Sequence, residues 1–248
     1  MSEVAAALAA NKAREGDIIE VYKRCPNLGR ALIVSVHEER EEGADKELTN
    51  ARESLELLGF EVQVVVDPTK RKVERLIREH RDAPWSDHSC SLVAFMAHGF
   101  MSGGQQFIFL AGNEKAMVTS FINMLATENA PELEGKPKLW FVQACRGGGD
   151  RMADDELVDE AGMHAAPFLS TESDQLQTFS AVPDRVAIRG VFWEHFREIC
   201  SEASVRATPF VQLVAKTNQK MAVVHKIGPP VSNNTLRDAL ISAKSLTL

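Results

Sequence analysis

Two reactive side chains stand at the ends of apolar runs. His98 follows Ser-Leu-Val-Ala-Phe-Met-Ala (91–97), and Cys145 follows Lys-Leu-Trp-Phe-Val-Gln-Ala (138–144). A thiol beside an imidazole suits nucleophilic catalysis: the thiolate attacks a carbonyl and the ring carries the proton. In open parallel sheets, ligands bind beyond the carboxyl ends of the strands, so neighbouring strands would bring both groups to one rim. Each residue alone has an ordinary explanation, because Cys is among the most buried types and a lone His is more often structural. The local sequence is what makes the pairing specific. Cys145 sits in Gln143-Ala144-Cys145-Arg146-Gly147, 47 residues (145 − 98) after His98.

The surrounding pattern predicts elements able to hold such a pair. Residues 31–36, 60–66, 91–97 and 138–144 read as buried strands, separated by helical patterns at 45–59, around 70–81 and at 117–126. Asp67-Pro68-Thr69 supplies a turn and an N-cap before the second helix, and Gly59 closes the first. Continuous apolar strands alternating with helices imply a mostly parallel sheet covered on both faces, a doubly wound α/β fold. Residues 146–173 interrupt this rhythm with Gly147, Gly148, Gly149 and many acidic side chains, which reads as a long linker with a job of its own. A strand at 175–182, helices at about 191–203 and 207–221, and a strand near 235–241 follow. The expected division is a short N-terminal segment (1–29) and one domain (30–248).

Composition bounds the function classes. The 248 residues contain 44% hydrophobic and 25% charged side chains, ordinary for a folded soluble domain. A net charge of -7 argues against a nucleic-acid partner, since phosphate favours a basic surface. No apolar run approaches the roughly 20 residues needed to span a bilayer, and the first 17 residues do not read as a secretory leader. The four cysteines form no CxxC pair, so no metal site or dithiol motif is expected, and no cofactor either. Reduced cysteines fit a cytoplasmic setting, with the nucleus also open. No glycine-rich phosphate loop follows the first strand, where Ser35-Val36-His37-Glu38 stands. The basic face of the 70–81 helix reads as a solvated surface.

Gln143 to Gly147 matches the caspase nucleophile signature, whose histidine lies about 50 residues upstream, and from Arg30 onward the chain resembles the caspase family of cysteine peptidases. Met96-Ala97-His98-Gly99 is similar to the catalytic histidine block. Lys136-Pro137-Lys138, Ser180-Ala181-Val182-Pro183 through Arg189, and Ser232 to Leu240 also look like family segments. The short N-terminus resembles the family's short-prodomain type associated with epidermal cornification. The resemblance implies a caspase-like six-stranded sheet flanked by helices, divided into a large-subunit part (30–149), a processing linker (150–174) and a small-subunit part (175–248).

It further implies a thiol protease, a hydrolase acting in apoptosis or differentiation, that is made as a zymogen and cleaves protein substrates after aspartate. Cys145 would be the nucleophile and His98 the proton carrier, with the Gly99 and Cys145 N–H groups forming the oxyanion hole. The aspartate pocket would use Gln143 and Arg189, a planar guanidinium suiting bidentate capture of a carboxylate. A second arginine falls near Arg40, although counting back from Phe60 puts Glu41 at that position. Asp150, Asp154, Asp155, Asp159 and Asp174 are candidate processing points, Asp174 the best placed for the final cut. The implied assembly is a homodimer of processed fragments. The competing reading is a caspase-fold pseudoenzyme that binds and regulates true caspases, favoured by the shortened 37–43 segment and the short loop after Arg189.

Overall fold

The computed structural model describes residues 22, 25–38, 40–145, 174–179, 190–202, 208–225 and 231–234, with the side chains of 41, 42, 225 and 231–234 excepted. Nine strands and five helices are assigned among them. The strands are β1 (Asn27–Ser35), β2 (Phe60–Val66), β3 (His88–Met96), β4 (Gly99–Ser102), β5 (Gln105–Leu110), β6 (Glu114–Met117), β7 (Lys138–Gln143), β8 (Gln175–Phe179) and β9 (Val231–Asn234). The helices are α1 (Glu41–Leu58), α2 (Lys70–Arg81), α3 (Val118–Met124), α4 (Val191–Cys200) and α5 (Phe210–His225).

Six strands form one sheet in the order β2-β1-β3-β7-β8-β9. Its first five strands run parallel and only β9 is antiparallel, along β8. This is the mostly parallel α/β fold expected from the sequence. Side chains alternate along each strand, so each strand feeds two cores. Ala31, Ile33, Leu92, Ala94, Leu139 and Phe141 pack under α1, α4 and α5 with Leu55, Phe192, Trp193, Phe196 and Phe210. Leu32, Val34, Val93, Phe95, Trp140 and Val142 pack under α2 and α3 with Val73, Ile77 and Phe121. Burial on both faces explains the unbroken apolar runs Leu92–Met96 in β3 and Leu139–Val142 in β7.

Helix ends match the local chemistry. Thr69 Oγ1 accepts the Lys72 N–H at 3.3 Å, capping α2, and Gly59 closes α1 at φ 99°, donating to Leu55 and Glu56 carbonyls. Between β3 and α3 lies a feature that the sequence reading did not anticipate: a separate three-stranded antiparallel sheet, β4-β5-β6. Its first turn is Gly103-Gly104, both at positive φ (54° and 76°), as a two-residue hairpin matched to strand twist requires. Toward the C-terminus, the described strand is 231–234; the expected strand at 235–241 lies outside the described residues.

Candidate active site

The sheet register decides which groups meet. Ser35 pairs with Met96, and Met96 with Gln143, so β1, β3 and β7 end at one level. Two residues beyond Met96 and Gln143 come His98 and Cys145. The register is carried past the strand ends by Ala97, whose N–H donates to the Gln143 carbonyl at 3.2 Å. His98 and Cys145 therefore leave adjacent strands at equivalent positions on the carboxyl rim, where a nucleophile and its proton carrier must stand.

Packing holds the two tips together. A Cβ built on Gly99 would lie 2.6 Å from the Phe107 carbonyl oxygen and 2.9 Å from Ala144 Cβ. Only glycine lets the chain after His98 come this close to the residue before Cys145. Gln106, which is buried, ties down the same junction. Its Nε2 donates to the carbonyls of Phe107 (2.9 Å), Cys145 (3.1 Å) and Phe100 (3.3 Å). The sequence reading missed Gln106, because only the β4–β5 pairing brings it beside residue 145.

Exposure separates the four cysteines. Cys25, Cys90 and Cys200 are buried, whereas Cys145 is half-exposed. Burial pushes the Cys90 thiol well above its ordinary range and so suppresses its thiolate. Cys145 is thus the accessible sulfur of the four.

The proposed pocket residues are placed as follows. Gln143 is buried at 5% exposure, and its Nε2 has no hydrogen-bond partner. Arg40 is buried at 4%. Its Nη1 donates to the Val36 carbonyl at 3.0 Å and its Nη2 to Glu47 Oε2 at 2.5 Å. Glu47, its side chain fully buried, accepts the Gly190 N–H through Oε1 at 3.3 Å. The residue following Arg189 is therefore docked onto the Arg40–Glu47 pair. Arg189 itself and the Glu41 side chain lie outside the described residues. Glu47 was not singled out from sequence, where nothing local sets it apart from the other acidic residues of the 45–59 helical pattern.

Of the candidate processing residues, Asp150, Asp154, Asp155 and Asp159 lie outside the described residues. Asp174 is buried at 3% exposure. Its Oδ1 accepts the Tyr22 hydroxyl at 2.8 Å, and its carbonyl accepts the Lys138 N–H at 2.8 Å. Among the described residues, no group of three or more His, Cys, Asp or Glu side chains could hold a metal ion. No described helix is long and apolar enough to cross a membrane.

Comparison with known proteins gives one consistent result. The family model for the caspase domain matches residues 28–241. Caspase drICE of Drosophila melanogaster is 28% identical over 82% of this chain and 63% of its own length. Human Caspase-14 is 30% identical over 64% of this chain and 66% of its own length. The chain thus spans just under two thirds of these curated relatives. The crystal structure of Caspase-1 from Spodoptera frugiperda superposes with a TM-score of 0.69 at 22% identity, covering 88% of this chain and 91% of that one.

Proposed function

The chain belongs to the caspase family, and from that premise we propose that it is a cysteine endopeptidase cleaving protein substrates after aspartate. The observation that carries this reading is the shared exit level of β3 and β7, which sets His98 beside Cys145 with Gly99 packed on Ala144. Cys145 as thiolate attacks the scissile carbonyl carbon, and the carbonyl oxygen takes the negative charge. The N–H groups of Gly99 and Cys145 stabilise that oxyanion. His98 gives its proton to the departing amine, leaving an acyl thioester that water hydrolyses.

Aspartate preference needs donors at the bottom of the pocket. The unpartnered amide of buried Gln143 supports such a role, because a substrate carboxylate would complete its hydrogen bonding. Arg189 supplies the bidentate cation in this reading. Arg40 acts one step removed: its charge is taken up by Glu47, and the pair anchors Gly190, the residue after Arg189. The enzyme is made as a zymogen cut in the 150–174 linker, and the products assemble as a homodimer, cytoplasmic with nuclear access. Burial of the Asp174 carboxylate against Tyr22 favours Asp150, Asp154, Asp155 or Asp159 as the cut.

The test is hydrolysis of an aspartyl peptide reporter by protein cleaved in the linker, in salt that promotes dimerisation. Turnover is expected, and Cys145→Ala should abolish it. Turnover that survives this substitution would refute the assignment. A second reading, a caspase-fold regulator without activity, is favoured by the neutralisation of Arg40. It predicts no turnover under the same conditions, together with direct binding to an active caspase.

A further inference from the structure

The small sheet β4-β5-β6 carries an aromatic strip on its outer face. Ile108, Leu110 and Ala116 point inward to the core, so the side chains that alternate with them point outward. Phe100 lies directly opposite Phe107, and Phe107 opposite Met117; Phe109 lies opposite Lys115. The Phe100 ring stacks on Phe107 at 5.2 Å and meets Phe109 at 5.3 Å. Lys115 Nζ stands 5.9 Å from the Phe100 centroid. All three phenyl rings are only half-buried and Lys115 is exposed, while Met117 is 36% exposed. An outward-facing cluster of this composition resembles the centre of a binding surface more than an ordinary solvated sheet face.

His98 adjoins the same face. Gly99 is paired with inward-pointing Ile108, so Phe100 turns outward, and His98 stands immediately before β4 at its edge. The Phe109 N–H donates to the His98 carbonyl at 2.9 Å, placing His98 in the row of Phe109 and Lys115. Resting on the protease reading above, the leaving amine is the group that His98 protonates, and the polypeptide attached to it must depart past His98. We propose that the Phe100–Phe107–Phe109 strip binds the substrate segment immediately after the scissile bond. Its preference is for aromatic or large aliphatic side chains, with Lys115 favouring a neighbouring carboxylate. Aromatic pairing rewards the apolar residue, and a rim cation selects the charge. The site is therefore specific on both sides of the cut bond.

The test uses internally quenched peptides sharing one aspartyl sequence before the cut and differing after it: Gly-Phe-Leu against Gly-Ser-Ser, and each of these followed by Asp or by Lys. The readout is a ratio of kcat/KM values within one protein, so it does not depend on overall activity. For the unsubstituted enzyme the apolar sequence should be preferred by about five- to tenfold, and Phe107→Ser should bring that ratio close to unity. Lys115→Glu, at an exposed position, should reverse the preference for Asp over Lys. A ratio near unity in the unsubstituted enzyme, or one retained in both variants, would overturn the proposal. Weaker self-association of Phe107→Ser in sedimentation with an unchanged ratio would assign the strip to a second copy and overturn it too. If no peptide is cleaved at all, the protease reading falls and this inference with it.

Discussion

Chemistry at a single sulfur depends on what surrounds it. Cys145 is half-exposed at a strand tip beside His98, whereas Cys90 is sealed in the core, where an anion is strongly disfavoured. Replacing His98 by Ala should lower kcat by about 10²- to 10⁴-fold, the usual worth of a positioned proton carrier, while the thermal midpoint stays close to that of the unsubstituted protein. Gln143 offers a separable prediction. Its unpartnered amide costs the fold about 1–3 kcal/mol, so Gln143→Leu should leave stability unchanged or raised. KM for aspartyl peptides should rise by about tenfold as a charge-assisted hydrogen bond is lost. Thermal melts and steady-state kinetics on one preparation check both halves. The motifs around Cys145, His98 and Gln143 were legible in the sequence because they are short and contiguous. The contacts of Gln106 and Glu47 were not, since they reach residues 39 and 143 positions away.

Elements deliver these groups through register and close approach. The parallel strands were readable because two-sided burial leaves long apolar runs. The β4-β5-β6 sheet escaped notice because its outer strands are only four residues long, although Gly103-Gly104 before Gln-Gln-Phe-Ile-Phe-Leu was a hairpin signal in plain view. Gly99→Ala tests the junction. Its Cβ would collide with a backbone carbonyl and with Ala144, so activity should fall by more than about 10²-fold through misplacement of His98 against Cys145. The Arg40–Glu47 pair tests the pocket wall. Glu47→Ala would remove the carboxylate paired with buried Arg40 and release Gly190, costing about 3–5 kcal/mol. The expected signs are a large drop in midpoint and a raised KM for aspartyl substrates.

At the scale of the whole molecule, the sheet is covered on both faces and its N-terminal end holds a buried histidine. Burial lowers the His80 pKa to about 4, and the nearby charges of Arg30 and His88 act in the same direction. Its ring lies 2.9 Å from the Ser91 hydroxyl. The folded state therefore holds His80 neutral while the unfolded chain takes up a proton at about pH 6.5. Stability from this site is complete above about pH 6.5 and is lost as pH falls toward 4, on the order of 3 kcal/mol in all. His80→Gln should flatten the dependence of the thermal midpoint on pH between 7 and 5; an unchanged slope would remove His80 as its source. The sequence showed the covered sheet but not this buried niche, because His80 and Ser91 meet only across the α2–β3 packing.

Selective capture of Cys145 by an aspartyl electrophile, read by peptide mass spectrometry, tests most directly whether β3 and β7 set a working sulfur beside an imidazole. Adduct on Cys145 alone among the four cysteines is expected, with labelling slowed by about 10²-fold or more in His98→Ala. Adduct spread over Cys25, Cys90 or Cys200, or labelling of Cys145 that ignores the loss of His98, would contradict the account.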